Sequence, residues 1–105
     1  MIVGIDVGVT TGIALYDPEQ EAVGITKAAK DIYVKPYLVD LVTGYPVTHF
    51  AVEMPQRASR YASTFDRVIQ DVIAVADEHD ICLRYVRPGE WKSSYAKNWF
   101  TLANT

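Results

Sequence analysis

The sequence predicts an α/β domain built on one mixed β-sheet. Three observations lead there. Short apolar runs of strand length open the chain and recur to near its end. The first three follow one another directly, as an antiparallel meander does. The last two each follow a segment with helical spacing, and a strand entered through a helical crossover usually returns parallel and right-handed.

Residues 1–6 read as a buried strand that ends on Asp6. Val7-Gly8-Val9-Thr10-Thr11-Gly12 then makes a glycine and threonine turn, and Gly12 to Tyr16 is the second strand. Asp17-Pro18-Glu19-Gln20 follows as a type I turn, with the proline pre-setting the backbone. Glu21 to Thr26 is the third strand. From about Ala29 to Thr43 the spacing turns helical, with Val34, Leu38, Leu41 and Val42 on one face. Pro36 sits inside this pattern and should kink or delay the helix; Gly44 and Pro46 end it. Val47 to Glu53 is the fourth strand. Ala62 to His79 is the strongest helix, with Phe65, Val68, Ile69, Val72, Ile73 and Ala76 in one apolar stripe. Ile81 to Val86 is the fifth strand, Arg87-Pro88-Gly89 a loop, and Glu90 to about Leu102 a short last helix.

A chain of 105 residues is expected to form one domain, 1–105, with 50% hydrophobic residues to supply its core. No apolar run reaches the roughly 18–20 residues that span a membrane, and no basic leader precedes the first apolar stretch, so neither a membrane anchor nor a secretory signal is expected. The single cysteine, Cys82, has no internal partner, which fits a cytoplasmic protein. It alternates with Arg84 on the fifth strand and reads as a small buried side chain. His49 and His79 make no zinc spacing and read as structural.

The net charge of −3 excludes a globally basic nucleic-acid binder, but the charge is uneven. Residues 1–53 carry three lysines or arginines and seven acids; residues 54–105 carry seven and six. DNA contact would therefore rest on a local patch.

Two acids end two strands, Asp6 and Glu53. If strands one and four are parallel neighbours, their backbones lie about 4.8 Å apart and the two carboxylates sit side by side at one edge of the sheet. Close carboxylates repel, and a divalent cation is the usual natural remedy. Mg²⁺ takes one or two carboxylates and fills its shell with water and phosphate oxygens, which is the chemistry of phosphodiester hydrolysis. The bland alternative is that each acid merely ends a strand in solvent. The turn after Asp6 has two readings as well. Gly8 and Gly12 allow close approach of a ligand, and Thr10 and Thr11 offer hydroxyls to phosphate; or the glycines serve only the shape of a hairpin. No Gly-Lys-Ser/Thr follows, so this is not a Walker loop.

Three segments taken together resemble the RuvC-like branch of the ribonuclease H-like superfamily, especially small phage-type Holliday-junction resolvases. They are Ile2-Val3-Gly4-Ile5-Asp6-Val7-Gly8 with Thr10-Thr11-Gly12-Ile13-Ala14, then Ala51-Val52-Glu53-Met54-Pro55, then Val86-Arg87-Pro88-Gly89-Glu90-Trp91-Lys92. The resemblance implies a five-stranded mixed sheet of order 3-2-1-4-5 with helices on its faces. It implies Mg²⁺- or Mn²⁺-dependent cleavage of branched DNA by a homodimer, with Asp6 and Glu53 as the first two metal-binding acids. It also implies that the region after Glu53 faces the junction. Arg57 and Arg60 would then meet phosphates and Tyr61 an exposed base, with Lys92 and Arg87 extending the patch; otherwise this is a solvated loop whose aromatic ring packs on its own helix.

The sequence departs from the family's pattern after Glu90. Members usually carry further acids on a last helix, and no acid follows Glu90 here. The expectation is a C-terminally shortened relative or a truncated product, with two carboxylates left to hold metal. Asp66 and Asp71 on the central helix are weak substitutes, since solvated helix faces routinely carry acids. An uncovered sheet surface would favour association, with Trp91, Trp99 and Phe100 covering part of it. Two further readings stay open: a non-catalytic DNA-binding or structural module with the same fold, and a phosphate-binding fragment. The first phosphate loop of sugar kinases and actin-like ATPases also looks like Asp-x-Gly-x-Thr, but those proteins use two such domains.

Overall fold

The structure, a computed structural model, describes residues 1–54 and 60–86. Five strands form one sheet: β1 (Ile2–Asp6), β2 (Thr10–Asp17), β3 (Ala22–Lys30), β4 (His49–Glu53) and β5 (Cys82–Val86). Two helices, α1 (Asp31–Gly44) and α2 (Ala62–Glu78), form the crossovers before β4 and β5. The strand order is β3-β2-β1-β4-β5. β1 pairs antiparallel with β2 and β2 with β3, while β4 runs parallel to both β1 and β5. This is the mixed sheet of order 3-2-1-4-5 expected above.

Side-chain alternation divides the sheet into two faces. Val3, Ile5, Ile13, Leu15, Phe50 and Val52 point to one face, where they pack with Val34 and Leu38 of α1 and Val68, Val72 and Val75 of α2. Both described helices therefore cover the same face. Each fully buried side chain of this size contributes about 1.5–3 kcal/mol of transfer free energy. Ile2, Tyr16, Ala51 and Val86 form a smaller cluster on the other face. Asp6 and Glu53 alternate onto that second face, away from the helices.

Several boundaries differ from the sequence reading. Thr10 and Thr11 are not turn residues. They begin β2, where β-branched side chains fit the pleat, and pair with Lys30 and Ala29 of β3. β3 runs on to Lys30, so α1 starts at Asp31. Pro36 neither delays nor ends α1. Its missing N–H deprives the Ile32 carbonyl of its helical partner, at a residue whose side chain is 64% exposed. Helix α2 stops in a Schellman arrangement: the Ile81 N–H donates to the Ala76 carbonyl at 2.8 Å across a left-handed Asp80, φ 55°. On α2, Val75 belongs to the buried face and Ile73, 37% exposed, lies at its margin. Cys82 is exposed rather than buried, because it opens the edge strand β5 on the face away from the helices. The segment expected to form a last helix, with Trp91, Trp99 and Phe100, lies outside the described residues.

Candidate active site

Asp6 is the last residue of β1 and Glu53 the last of β4, and in the parallel ladder they are direct register partners. Their α-carbons are thus one strand spacing apart, about 4.8 Å, and their side chains leave the same face. The apolar runs before each acid hold this arrangement in place. Val3 and Ile5 on β1, and Phe50 and Val52 on β4, are fully buried under the helices, so each following acid must emerge on the opposite side. The Val7 N–H donates to the Glu53 carbonyl at 3.1 Å and carries the ladder one step past the pair. Glu53 is only 4% exposed; Asp6 is half-buried.

Both neighbours of the pair are apolar. Glu53 stands beside Val86 of β5, and Asp6 beside Gly12 of β2. A β-carbon placed on Gly12 would lie 3.6 Å from the Asp6 β-carbon, an ordinary contact, whereas one placed on Gly8 would come within 3.1 Å of the Thr10 carbonyl oxygen. Gly8 is thus needed for the tightness of the turn, and Gly12 keeps the space next to Asp6 open. A groove of about 380 Å³ runs from Asp6 over Gly4, Gly12, Ala14 and Ala28.

Two carboxylates with hard oxygen donors, side by side at a strand edge, suit Mg²⁺ or Mn²⁺, with the remaining positions left to water and phosphate. No cluster of three or more metal-binding side chains occurs among the described residues. Asp66 and Asp71 are on α2, across the sheet from the pair, so neither completes it.

The expected DNA-contacting residues fall into three groups. Thr10 is exposed at the mouth of the turn, whereas Thr11 is fully buried, its hydroxyl directed at the Gly8 carbonyl 3.5 Å away. Burial takes Thr11 out of reach of a phosphate and makes it a support of the turn. Arg60 and Tyr61 lead into α2. The Arg60 guanidinium lies 5.0 Å from the Tyr61 ring centroid and donates to the Tyr61 hydroxyl at 3.0 Å. Tyr61 is also tilted against Phe65, centroids 6.4 Å apart. The Arg60 cation is thus held against the Tyr61 ring at the entry to α2. Arg57, Arg87 and Lys92 lie outside the described residues.

At the opposite end of β4, His49 has its pKa pushed below the usual histidine value by burial, then by the N-terminal ammonium and Arg84. It shares a 2.7 Å hydrogen bond with the Thr48 hydroxyl. Its place at the start of the strand, with the acids at the end, keeps it out of the site. Sequence reasoning missed Gly12 as the neighbour of Asp6 and Lys30 as the partner of Thr10; both depend on strand register. Pairing β1 with β2 across a shorter turn would have found the first.

No protein-family model matches the sequence, and no curated protein matches it significantly. Solved structures do. Thermus thermophilus RuvC in complex with a Holliday junction substrate aligns with a TM-score of 0.67 at 14% identity, over 89% of this chain and 68% of that one. A second structure of Thermus thermophilus RuvC aligns with the same score and identity, over 90% and 68%. At this identity the likeness shows the fold, which is RuvC-like and thus ribonuclease H-like.

Proposed function

We propose that this chain is a RuvC-like, metal-dependent endonuclease domain that acts on branched DNA of the Holliday-junction type. The observation that carries the reading is the direct register of Asp6 with Glu53, on one face of a RuvC-like sheet. Asp6 and Glu53 would hold Mg²⁺ or Mn²⁺. When bound, the ion supplies positive charge that activates water and offsets the charge gathering on the scissile phosphate. The chain's own groups do the rest. Gly12 leaves room for the phosphodiester beside Asp6. Thr10 offers a hydroxyl at the turn. Arg60 and Tyr61 at the entry to α2 contact a phosphate and an unpaired base, and Arg57 and Lys92 serve as further phosphate contacts. The reading includes a single domain over residues 1–105, a homodimer that engages the two-fold symmetry of a junction, and a cytoplasmic location, which suits an unpaired, exposed Cys82.

A second reading has an observation of its own. No third acid joins the pair among the described residues, which favours a module that binds branched DNA without cutting it. A nicking assay on a labelled four-way junction, with and without Mg²⁺, separates the two. The nuclease reading expects Mg²⁺-dependent nicks that Asp6→Asn abolishes. It also expects Mg²⁺ to raise the melting temperature of the wild type but not of Asp6→Asn, by about 1.4 kcal/mol of stability at ten times the Kd. Binding without nicking, and no Mg²⁺ effect on melting, would establish the non-catalytic module instead.

A further inference from the structure

We propose that a surface track leading from Asp6 over β2 and β3 to the β3–α1 edge binds one single strand of nucleic acid. This inference rests on the reading of the Asp6–Glu53 pair as a DNA site and adds the path by which a strand leaves it.

Two depressions make up the track. The groove that begins at Asp6 ends against Thr26, Lys27 and Ala28. A second cleft, of about 480 Å³, begins at Lys27 and Ala28 and continues over Lys30, Tyr33 and Tyr37. Lys27 and Ala28 line both and leave β3 on opposite faces, Ala28 with Gly12 toward Asp6 and Lys27 with Ile13 toward the helices, so the track turns over the β3 edge. The charge on the track changes along its length. It starts at a carboxylate and then meets two exposed lysines, two of the three basic residues in the first half of the chain. Lys30 is the register partner of Thr10 and leaves the sheet on the same face as Asp6. The Lys27 ammonium lies 4.5 Å over the Tyr37 ring, a cation–π contact that fixes it at the mouth of the cleft.

Two acids lie nearby, and their positions limit where phosphates bind. Asp31 is engaged by Arg67 of α2, so it does not compete for the lysines. Asp40 also lines the cleft, from α1, so phosphates bind on the β3 side, at Lys27 and Lys30. Tyr33, 57% exposed, then presents its ring to a base. Lysines that meet a backbone, beside an open tyrosine ring, match an unpaired strand, because a base within a duplex has no free face to stack.

The test uses the full chain in EDTA, so that no strand is cut. Fluorescence anisotropy is followed with labelled oligothymidine and with a labelled four-way junction, over a range of salt concentrations. Lys27→Gln/Lys30→Gln should flatten the salt dependence of oligothymidine binding by about 1.4 in log–log slope, the value for two phosphate contacts on a single strand. Tyr33→Ala should weaken oligothymidine binding on the order of tenfold, with an unchanged melting temperature. If the wild type binds the junction and both variants bind oligothymidine as it does, the track is overturned and the nuclease reading stands. If the wild type binds neither DNA, both fall together.

Discussion

Gly12 gives the sharpest test of the site, because a small side chain and a larger one should have opposite effects there. It is the register partner of Asp6, and an added β-carbon meets only the Asp6 β-carbon, at 3.6 Å. Gly12→Ala thus introduces no clash and needs no unusual backbone angle. Its main effect falls on the unfolded chain, which loses freedom, and should stabilise the protein by about 0.4–1 kcal/mol. For a domain of this size that is roughly 2–8 °C in melting temperature. Gly12→Val adds two more methyl groups directly beside the Asp6 carboxylate and should close the groove. It should leave melting within about 1 kcal/mol of wild type while Mg²⁺-dependent junction nicking drops by about a hundredfold or more, the scale expected when a reacting group is displaced by about 1 Å. Thermal melting by circular dichroism and nicking rates on the same samples give both readouts. Two results would refute the reasoning. Loss of more than about 1 kcal/mol in Gly12→Ala would mean that the β1–β2 register is wrong. Unchanged nicking in Gly12→Val would mean that the substrate does not pass beside Asp6.

Two predictions concern stability. His49 has a folded-state pKa below its unfolded value, so protonation favours the unfolded chain. Its contribution to stability is complete above about pH 6.5 and is lost as pH falls from there through the folded pKa; urea melts across pH 5–8 should show this decline in wild type and a flatter profile in His49→Gln. Pro36→Ala restores the N–H donor that the Ile32 carbonyl lacks in α1, and should raise stability by about 1 kcal/mol; a level or lowered melting temperature would refute this.

The core of the sheet was legible in the sequence where strands are buried and end abruptly. β1 and β4 are apolar runs closed by a carboxylate, and the sequence places the carboxylate end of each to the residue, though it starts β4 at Val47 rather than His49. The edges were less legible. β3 is an edge strand whose second half, Thr26 to Lys30, carries little alternation because only Ala29 in it is buried; the sequence therefore ends the strand at Thr26 and starts the helical spacing at about Ala29. Gly8 and Gly12 made the hairpin look longer than it is, since a glycine in a strand interior carries no local mark of being there. Ile73 falls within the helical stripe and Cys82 within the strand alternation, but Ile73 lies at the margin of the buried face and Cys82 on the face no described helix covers. The proximity of Asp6 and Glu53 needed a long-range guess, that strands one and four are neighbours. No local pattern contains that fact; the crossover rule and the family resemblance supplied it.

The parallel pairing of β1 with β4 also serves as a check on assembly. Asp6 and Glu53 are brought together across a gap of dozens of residues, with α1 in between, so the pair exists only after the crossover has closed. If β4 slipped by one position, Glu53 would turn into the helix-covered interior while Phe50 and Val52 swung out into water. A misaligned chain would then bury a charge, lose two of its largest anchors and separate the two carboxylates, all from one error. Such a species is too unstable to persist, so the paired carboxylates occur only in correctly threaded molecules.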